Sequence, residues 1–393
     1  MAAVILIAGV AWKLTQDRDP ERLSLQLAEA IEANQIDRAE RLLQRLTRLR
    51  TPTADDWVLR AQVAFARDEL DEALRAIEHV PDDHRMARWA HYRAGQVEVR
   101  RHRLRAAEAH FLKALNIDPT LVDVRRELLY LYGVQQRAEA IEGQLIALAD
   151  LIPLTFRDVW YWCIARDQLR WEVDENQDVL SKVLEADPGD GWARLAMVEV
   201  LLDKGASLKE INELLEPMAD DPDAIALMAQ MALDRGAIEE AERLLDLGPA
   251  DHVTLARLRG GLVMQREGPE ASLPYFRTAY EIDPNRRETI VGLGQALRAA
   301  GRKEEAQPFL DQARAMDVLS GILARAVTPS GKSDPEMLRK LAEACLDAGR
   351  LREAVAWYEL VLADDPFDTE IQNKLRQIED ALASTVEKDA ATE

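Results

Sequence analysis

The sequence predicts an all-α protein in which helix pairs are repeated along the chain. The 393 residues are 48% hydrophobic and 31% charged, and they contain no good run of the apolar–polar alternation that marks a strand. Segments with helical periodicity stop repeatedly at an acidic residue followed by proline, as in AEAHFLKALNIDP at 107–119 and ELVLADDP at 359–366. These stops recur about every 34 residues, which is the length of one helix–turn–helix repeat.

The segment 107–119 shows how such a repeat is expected to fold. In a helix, Ala107, Phe111, Ala114 and Leu115 lie on one face, because they are spaced at i, i+4, i+7 and i+8. The two alanines let a second helix approach closely, and Phe111 fills the space beside them. Pro119 ends the helix, since proline lacks an amide proton and restricts the residue before it.

The chain begins with an apolar segment, residues 1–13, followed by a polar linker at 14–19. As a helix, AAVILIAGVAW at 2–12 is roughly 17 Å long, about half of a bilayer core. It has neither a basic region before it nor a clear cleavage site. Three interpretations stay open: the second half of a transmembrane anchor whose upstream residues are missing, an unusual targeting segment, or a helix that packs on the fold or on a partner. The anchor is preferred.

Ten repeats are predicted within residues 20–366, starting at 20, 54, 88, 122, 157, 191, 222, 253, 287 and 335. In the sixth repeat, Pro217 is expected to end the second helix early. An insert at 318–334 separates the last two repeats, and its first part, LSGILARAV, has the pattern of a further short helix. Residues 367–385 are predicted to form a capping helix, and 386–393 a disordered acidic tail.

The repeat beginning at 88 has small residues at its eighth, twentieth and twenty-seventh positions, Gly95, Ala107 and Ala114, and Pro119 at its thirty-second. This spacing resembles the tetratricopeptide repeat family. The resemblance implies a right-handed superhelical solenoid of antiparallel helix pairs, in which the first helix of each pair faces a concave groove. Gly301 and Gly349 are at the turns within two pairs, where a positive φ is expected.

In the resembling family, residues at positions 2, 5, 9 and 12 of each repeat face the groove. Carried onto this sequence, the resemblance implies a partner-binding set of Trp89, Tyr92, Gln96, Arg126, Tyr130, Tyr161 and Trp192. Tyrosine and tryptophan suit peptide anchoring, because each combines a large contact area with a polar group. Packing between repeats is the alternative role for the same residues.

A locally basic stretch provides a second candidate surface, with Arg93, Arg100, Arg101 and Arg103. These side chains suit an acidic partner or an anionic lipid surface. Alternatively, they form a solvated face that pairs with acidic residues of neighbouring repeats.

The remaining motifs give no argument for catalysis, a cofactor or a metal. Gly331-Lys332-Ser333 is similar to the end of a phosphate-binding loop, but the glycine needed five residues earlier is Ala326, and no buried strand precedes it. The six histidines lack ligand spacing and are interpreted as solvated. Cys163 and Cys345 are interpreted as core or groove thiols.

The net charge of −21 disfavours binding to phosphate backbones. We therefore predict a non-catalytic scaffold that binds a peptide or protein segment, tethered to a membrane by its N-terminal segment, with the solenoid in the adjoining aqueous compartment. No small-molecule substrate and no nucleic-acid partner are expected. The alternatives are a soluble, cytoplasmic assembly or regulatory subunit of a complex, and a helical-repeat RNA-binding protein, which the charge disfavours.

Overall fold

A computed structural model describes residues 19–166, 173–326 and 334–390. In these ranges the regular secondary structure is helical and contains no strand, which confirms the predicted all-α class. The first ten helices are α1 Pro20–Glu32, α2 Ile36–Leu49, α3 Ala54–Ala66, α4 Leu70–Ile77, α5 Ala87–Arg100, α6 Leu104–Ile117, α7 Val122–Val134, α8 Ala138–Ala149, α9 Phe156–Arg166 and α10 Val173–Ala186. The others are α11 Gly191–Asp203, α12 Leu208–Leu215, α13 Pro222–Asp234, α14 Ile238–Leu247, α15 Val253–Arg266, α16 Pro269–Ile282, α17 Arg287–Ala299, α18 Lys303–Ala326, α19 Pro335–Asp347, α20 Leu351–Asp364 and α21 Thr369–Ala390.

Successive helices pack as pairs, and neighbouring pairs stack. The helices pack on each other in α1–α2, α3–α4, α5–α6, α15–α16, α17–α18 and α19–α20. The first helices also lie side by side, α1 with α3 and α3 with α5, and likewise α13 with α15 and α15 with α17. This nearest-neighbour stacking is the packing of a helical-repeat solenoid.

The chain divides into two compact regions. The first region comprises residues 19–131 together with 181–190, and the second comprises 132–180 together with 191–390.

The turns within the helix pairs share one backbone conformation. Gly301 and Gly349 have φ values of 84° and 78°, as their glycines predict. The same turn holds a positive-φ residue in other pairs, including residues that have a side chain: Asn34, Asp68, His102, Gln136, Gly205 and Gly236. Gly268 differs, because its φ of 102° is combined with a ψ of 174° and it directly precedes α16. The fold thus imposes the left-handed conformation on the turn even where glycine is absent.

Close helix contact explains the small residue at the eighth position. A Cβ atom at Gly95 would lie 2.3 Å from a ring carbon of Phe111, which is fully buried on the partner helix α6. The pair Gly260 and Phe276 repeats this arrangement between α15 and α16, where the built Cβ would meet the ring at 3.1 Å. The glycine removes the side chain that would otherwise hold the two helices apart.

Two departures from the regular repeat follow from local sequence. Helix α12 ends at Leu215 and is followed by a short 3-10 turn, Glu216–Met218. The α-helix does not continue, because Pro217 lacks the amide proton that the next helical hydrogen bond needs. This matches the prediction of an early end. By contrast, residues 318–326 do not form a separate short helix but continue α18, which is 24 residues long. Residues 327–333 of the insert lie outside the described ranges.

At the C-terminus, α21 runs to Ala390, so the backbone of 386–390 is helical and not the disordered tail that was expected. At the other end, the predicted apolar anchor and most of the linker, residues 1–18, lie outside the described residues. Among the helices that are described, none is both long and apolar enough to cross a membrane.

One contact in the second compact region joins residues far apart in sequence. Helix α9 packs against α18 and α20. Both cysteines are fully buried there, with their Sγ atoms 4.0 Å apart, and both are free thiols. Arg350 donates to the carbonyl oxygen of Cys163 at 2.8 Å and pairs with buried Glu353 at 3.0 Å. Trp357 donates its indole N–H to the Cys163 Sγ at 3.3 Å.

Candidate interaction surface

Helices α5 and α7 bring five of the seven predicted binding residues into the first compact region. Gln96 is at the centre, because its amide group reaches both helices. Its Nε2 donates to the hydroxyl of Tyr92 at 3.0 Å and to Glu127 at 2.7 Å, and its Oε1 accepts from Arg93 at 2.8 Å. Gln96 follows Tyr92 by four residues and Arg93 by three, so its side chain is a neighbour of both on the helix surface. We call Trp89, Tyr92, Arg93, Gln96, Arg126, Glu127 and Tyr130 the α5–α7 surface.

Burial and a neighbouring carboxylate keep Tyr92 protonated. Desolvation, with the charges of Glu127 and Asp123, raises the pKa of Tyr92 to about 12. The ring lies 6.2 Å from that of Phe111 and 6.3 Å from that of Trp89. The tyrosine therefore presents a fixed, neutral hydroxyl beside a half-buried tryptophan.

Arg93 is a half-buried guanidinium beside an aromatic ring. Its centre lies 4.5 Å from the ring of Phe65, and the guanidinium of Arg100 lies 3.8 Å from the same ring. Burial, with the charge of Arg100, lowers the pKa of Arg93. In the part of the chain that the structure describes, Arg93 bonds to Gln96 and forms an ion pair with no carboxylate.

Two other members of the predicted basic stretch, Arg100 and Arg101, have acidic partners. Arg100 donates to the carbonyl of Phe65 and approaches Asp68 at 3.4 Å. Arg101 pairs with Asp71 at 3.2 Å. Arg103 is exposed at the start of α6. Arg100 and Arg101 thus pair with acidic residues of the preceding repeat, as the alternative interpretation expected.

The exposed part of the α5–α7 surface is on α7. Tyr130 is 44% exposed, and Arg126, one turn before it, is also exposed. On α5, the guanidinium of Arg88 lies 5.6 Å from the ring of Trp89. The surface and its immediate surroundings therefore contain both aromatic and cationic side chains.

The two remaining predicted residues belong to the second compact region. Tyr161 is half-buried on α9, where burial raises its pKa. Trp192 is 43% exposed, and the guanidinium of Arg137 lies 4.8 Å from its ring and 4.4 Å from that of Tyr132. The predicted set is thus divided between two regions.

Sequence reasoning missed Glu127 and Arg137, because neither occupies a position that the family pattern assigns to the groove. It also missed a groove of about 890 Å³ between α2, α3 and α4 in the first compact region. The charged residues that line this groove are Glu40, Arg60, Asp68, Glu69, Asp71, Glu72, Arg75 and Arg101. Several of them already pair within the groove, such as Glu72 with both Arg60 and Arg75.

The described ranges contain no group of three or more His, Cys, Asp or Glu side chains that could hold a metal ion. The sequence predicts solvated histidines, but His91 is buried and His110 is half-buried. His91 is 8% exposed, and the imidazole of His110 lies against it.

Comparison with solved structures finds helical-repeat proteins at low identity. One is the APC/C hetero-tetramer Cut9-Hcn1, with 15% identity, a TM-score of 0.38, and coverage of 91% of this chain and 76% of that chain. Another is pilF of Pseudomonas aeruginosa, with 14% identity, a TM-score of 0.32, and coverage of 56% and 97%. A third is the human IFIT1 dimer with PPP-AAAA, with 15% identity, a TM-score of 0.34, and coverage of 88% and 90%. These likenesses are too distant to assign a function.

Comparison with curated proteins finds no match. The tetratricopeptide repeat family model matches residues 28–83 and 291–369. The first match covers helices of the first two pairs, and the second covers the last pairs and their turns. The family's repeat is thus matched in two separate parts of a chain of stacked helix pairs, and these two parts carry tetratricopeptide repeats.

Proposed function

We propose that this protein is a non-catalytic scaffold that binds an extended segment of a partner protein on the α5–α7 surface. The observation that carries the proposal is the Gln96 network, which holds Tyr92, Arg93 and Glu127 in fixed positions beside exposed aromatic side chains. Pre-ordered polar groups lose little entropy when a partner binds, so their hydrogen bonds add to affinity.

The aromatic side chains supply the apolar part of the proposed contact. Tyr130 is exposed, and Trp89 is half-buried on the adjacent helix. Large aromatic side chains are frequent among the few residues that dominate binding energy. Covering Tyr130 and Trp89 would remove apolar area from water without a rearrangement of the helices.

The polar chemistry favours a segment that carries a carboxylate. The guanidinium of Arg93 is held by Gln96, and among the described residues it forms no ion pair with a carboxylate, although the charge of Glu127 acts on it. A partner's aspartate, glutamate or C-terminal carboxylate would form a charge-assisted hydrogen bond there. Glu127, which accepts from Gln96, would repel a second acidic group placed over α7.

The test is selection of binding peptides from a displayed random library on the purified protein, followed by fluorescence anisotropy. Replacement of both Trp89 and Tyr130 by alanine is expected to weaken binding of a selected peptide at least tenfold. Arg93→Gln is expected to do the same for peptides that carry a carboxylate. Tyr275→Ala is the matched control, because Tyr275 is similarly exposed on α16. Equal affinities for all variants would rule out this surface.

We also propose that residues 1–13 tether the scaffold to a membrane, and the support is their apolar sequence. The test is flotation with phosphatidylcholine vesicles. The full chain is expected to float with the vesicles, and a chain that begins at residue 19 is expected to stay in the dense fraction. Equal behaviour of the two would remove the proposal.

A further inference from the structure

Four arginines form a row along the outer face of α2, in the first helix pair. Arg38, Arg41, Arg45 and Arg48 are all exposed, and their spacing of three, four and three residues places them on one side of the helix. At 1.5 Å per residue the row is about 15 Å long. The opposite side of the helix is apolar and packs on α1. We call these four residues the α2 arginine row.

The row differs from other exposed arginines of the first compact region, which pair with carboxylates. Arg75 and Arg85, for example, form ion pairs at 3.0 and 2.6 Å. Within the described ranges, Arg38, Arg41 and Arg48 form no ion pair, and Arg38 donates to a glutamine side chain at 2.9 Å. Three guanidinium groups on one helix face are therefore open to solvent without a carboxylate bound to them.

The two carboxylates of α2 act mainly on other groups. Glu40 accepts a hydrogen bond from Gln44 at 2.8 Å. Glu69 raises the pKa of Arg67, directly after α3, and the charges of Glu40 and Asp37 add to this rise. Exposed charges act over about 8 Å at physiological ionic strength. The field at the row is therefore determined by its own arginines more than by the net charge of the whole chain.

The position of the row in the chain favours a lipid surface as its partner. The row is on the second helix after the apolar residues 1–13, so a tether there would hold the first helix pair close to a bilayer. Each arginine held near an anionic leaflet strengthens binding by about fivefold. Leu49, which is 42% exposed and follows Arg45 by four residues, adds an apolar side chain beside the row.

We propose that the α2 arginine row is a binding surface for the anionic headgroups of a phospholipid bilayer. The guanidinium groups would donate charge-assisted hydrogen bonds to phosphate and carboxylate oxygens of the lipids. Because the apolar side of α2 stays in the core, the helix would lie on the headgroups without inserting. The inference rests on the proposed function in one respect, since the tether brings α2 to the bilayer.

The test is flotation of the purified full chain with vesicles at increasing lipid concentration. Vesicles of phosphatidylcholine alone measure the tether, and vesicles of phosphatidylcholine and phosphatidylserine in equal parts measure the tether and the row together. Phosphatidylserine is expected to lower the lipid concentration for half-maximal binding at least tenfold. Added salt should remove this gain, because it screens the arginines.

Replacement of Arg38, Arg41 and Arg48 by glutamine should remove most of the gain and leave binding to phosphatidylcholine unchanged. The matched control makes the same change at three exposed arginines of the second compact region, Arg243, Arg298 and Arg314, and should keep the gain. No gain from phosphatidylserine, or an equal gain in both variants, would overturn the proposal. Failure of the tether alone would appear differently, as binding to the mixed vesicles only, lost in the α2 variant.

A second measurement needs no variant and works even when the tether binds all of the protein. Phenylglyoxal modifies exposed arginines, and mass spectrometry locates each modification. On the mixed vesicles, Arg38, Arg41 and Arg48 should react at least threefold more slowly than on phosphatidylcholine vesicles, and the three control arginines should react at unchanged rates. Equal rates for the row on both kinds of vesicle would overturn the proposal. Protection by a soluble acidic peptide and not by the mixed vesicles would also overturn it, and would assign the row to a protein partner.

Discussion

At the scale of single residues, the distance between α5 and α6 is determined at Gly95. The ring of Phe111 occupies the space where a Cβ atom of residue 95 would lie, with three ring carbons at 2.3–2.8 Å from it. Phe111 is fully buried, so its ring is enclosed by other side chains and cannot turn away freely. The glycine is therefore required by packing and not by its backbone conformation.

We predict that Gly95→Ala destabilises the protein by about 1–3 kcal/mol, as overpacking of a core does. Hydrogen exchange measured by mass spectrometry should show the loss of protection in α5 and α6. Gly143→Ala is the matched control, because Gly143 is also within a helix and its Cβ would meet nothing within 4 Å. That change should stabilise α8 by about 0.5–1 kcal/mol. Equal effects of the two substitutions would contradict the packing argument.

At the scale of helices, the contact of α9 with α20 has a buried ion pair at its centre. Arg350 and Glu353 are each 2% exposed, and Arg350 also holds the carbonyl of Cys163. Removing one partner of such a pair leaves the other charge without its counterion in a region of low dielectric, and this destabilises strongly. Removing both partners is much less harmful.

We predict that Arg350→Met lowers the free energy of unfolding by about 3–5 kcal/mol. The double change of Arg350→Met and Glu353→Leu should recover part of this loss. A double-mutant cycle in urea would measure the coupling between the two residues. The exposed pair Arg302 and Glu305, at 2.5 Å, is the control, and its disruption should change stability little. A small effect of Arg350→Met alone would show that α9 does not pack on α20 in solution.

Most helices could be predicted from local sequence, because their ends carry strong signals. Proline and aspartate begin α1, α13 and α19, and glycine forms the turns after α17 and α19. The contact of α9 with α20 could not be predicted, since a repeat period specifies only which neighbours stack. The continuous α18 was missed for a related reason: a fixed period places a boundary where this helix continues.

The candidate site could be predicted only in part. The repeat register identified Tyr92 and Gln96, because a fixed position in a repeat corresponds to a fixed helix face. It gave no reason to single out Glu127. This residue matters because its carboxylate accepts a hydrogen bond from the amide of Gln96 on α5, the first helix of the preceding pair. His91 and His110 are 19 residues apart. Their proximity follows from the antiparallel pairing of α5 and α6, so the register contained this contact.

At the scale of the whole molecule, the charge is unevenly distributed along the sequence. Residues 20–121 contain 17 acidic and 17 basic side chains, whereas 122–393 contain 52 acidic and 31 basic ones. Phosphate backbones bind proteins mainly by exchanging counterions for lysine and arginine contacts. A chain with this acidic excess has few cations that are not already offset by nearby carboxylates, and it repels a polyanion at distances up to the Debye length.

We therefore predict that single-stranded RNA does not bind at physiological ionic strength. A gel-shift assay with a labelled oligonucleotide should show no retarded band at micromolar protein, whereas a basic RNA-binding protein of similar size should retard it. Lowering the salt concentration tenfold tests the argument more severely, because it would strengthen any electrostatic binding. A retarded band that weakens as salt is added would mean that the arginines of 20–121 act as one cationic surface in spite of the total charge. The helical-repeat RNA-binding interpretation would then replace the peptide scaffold.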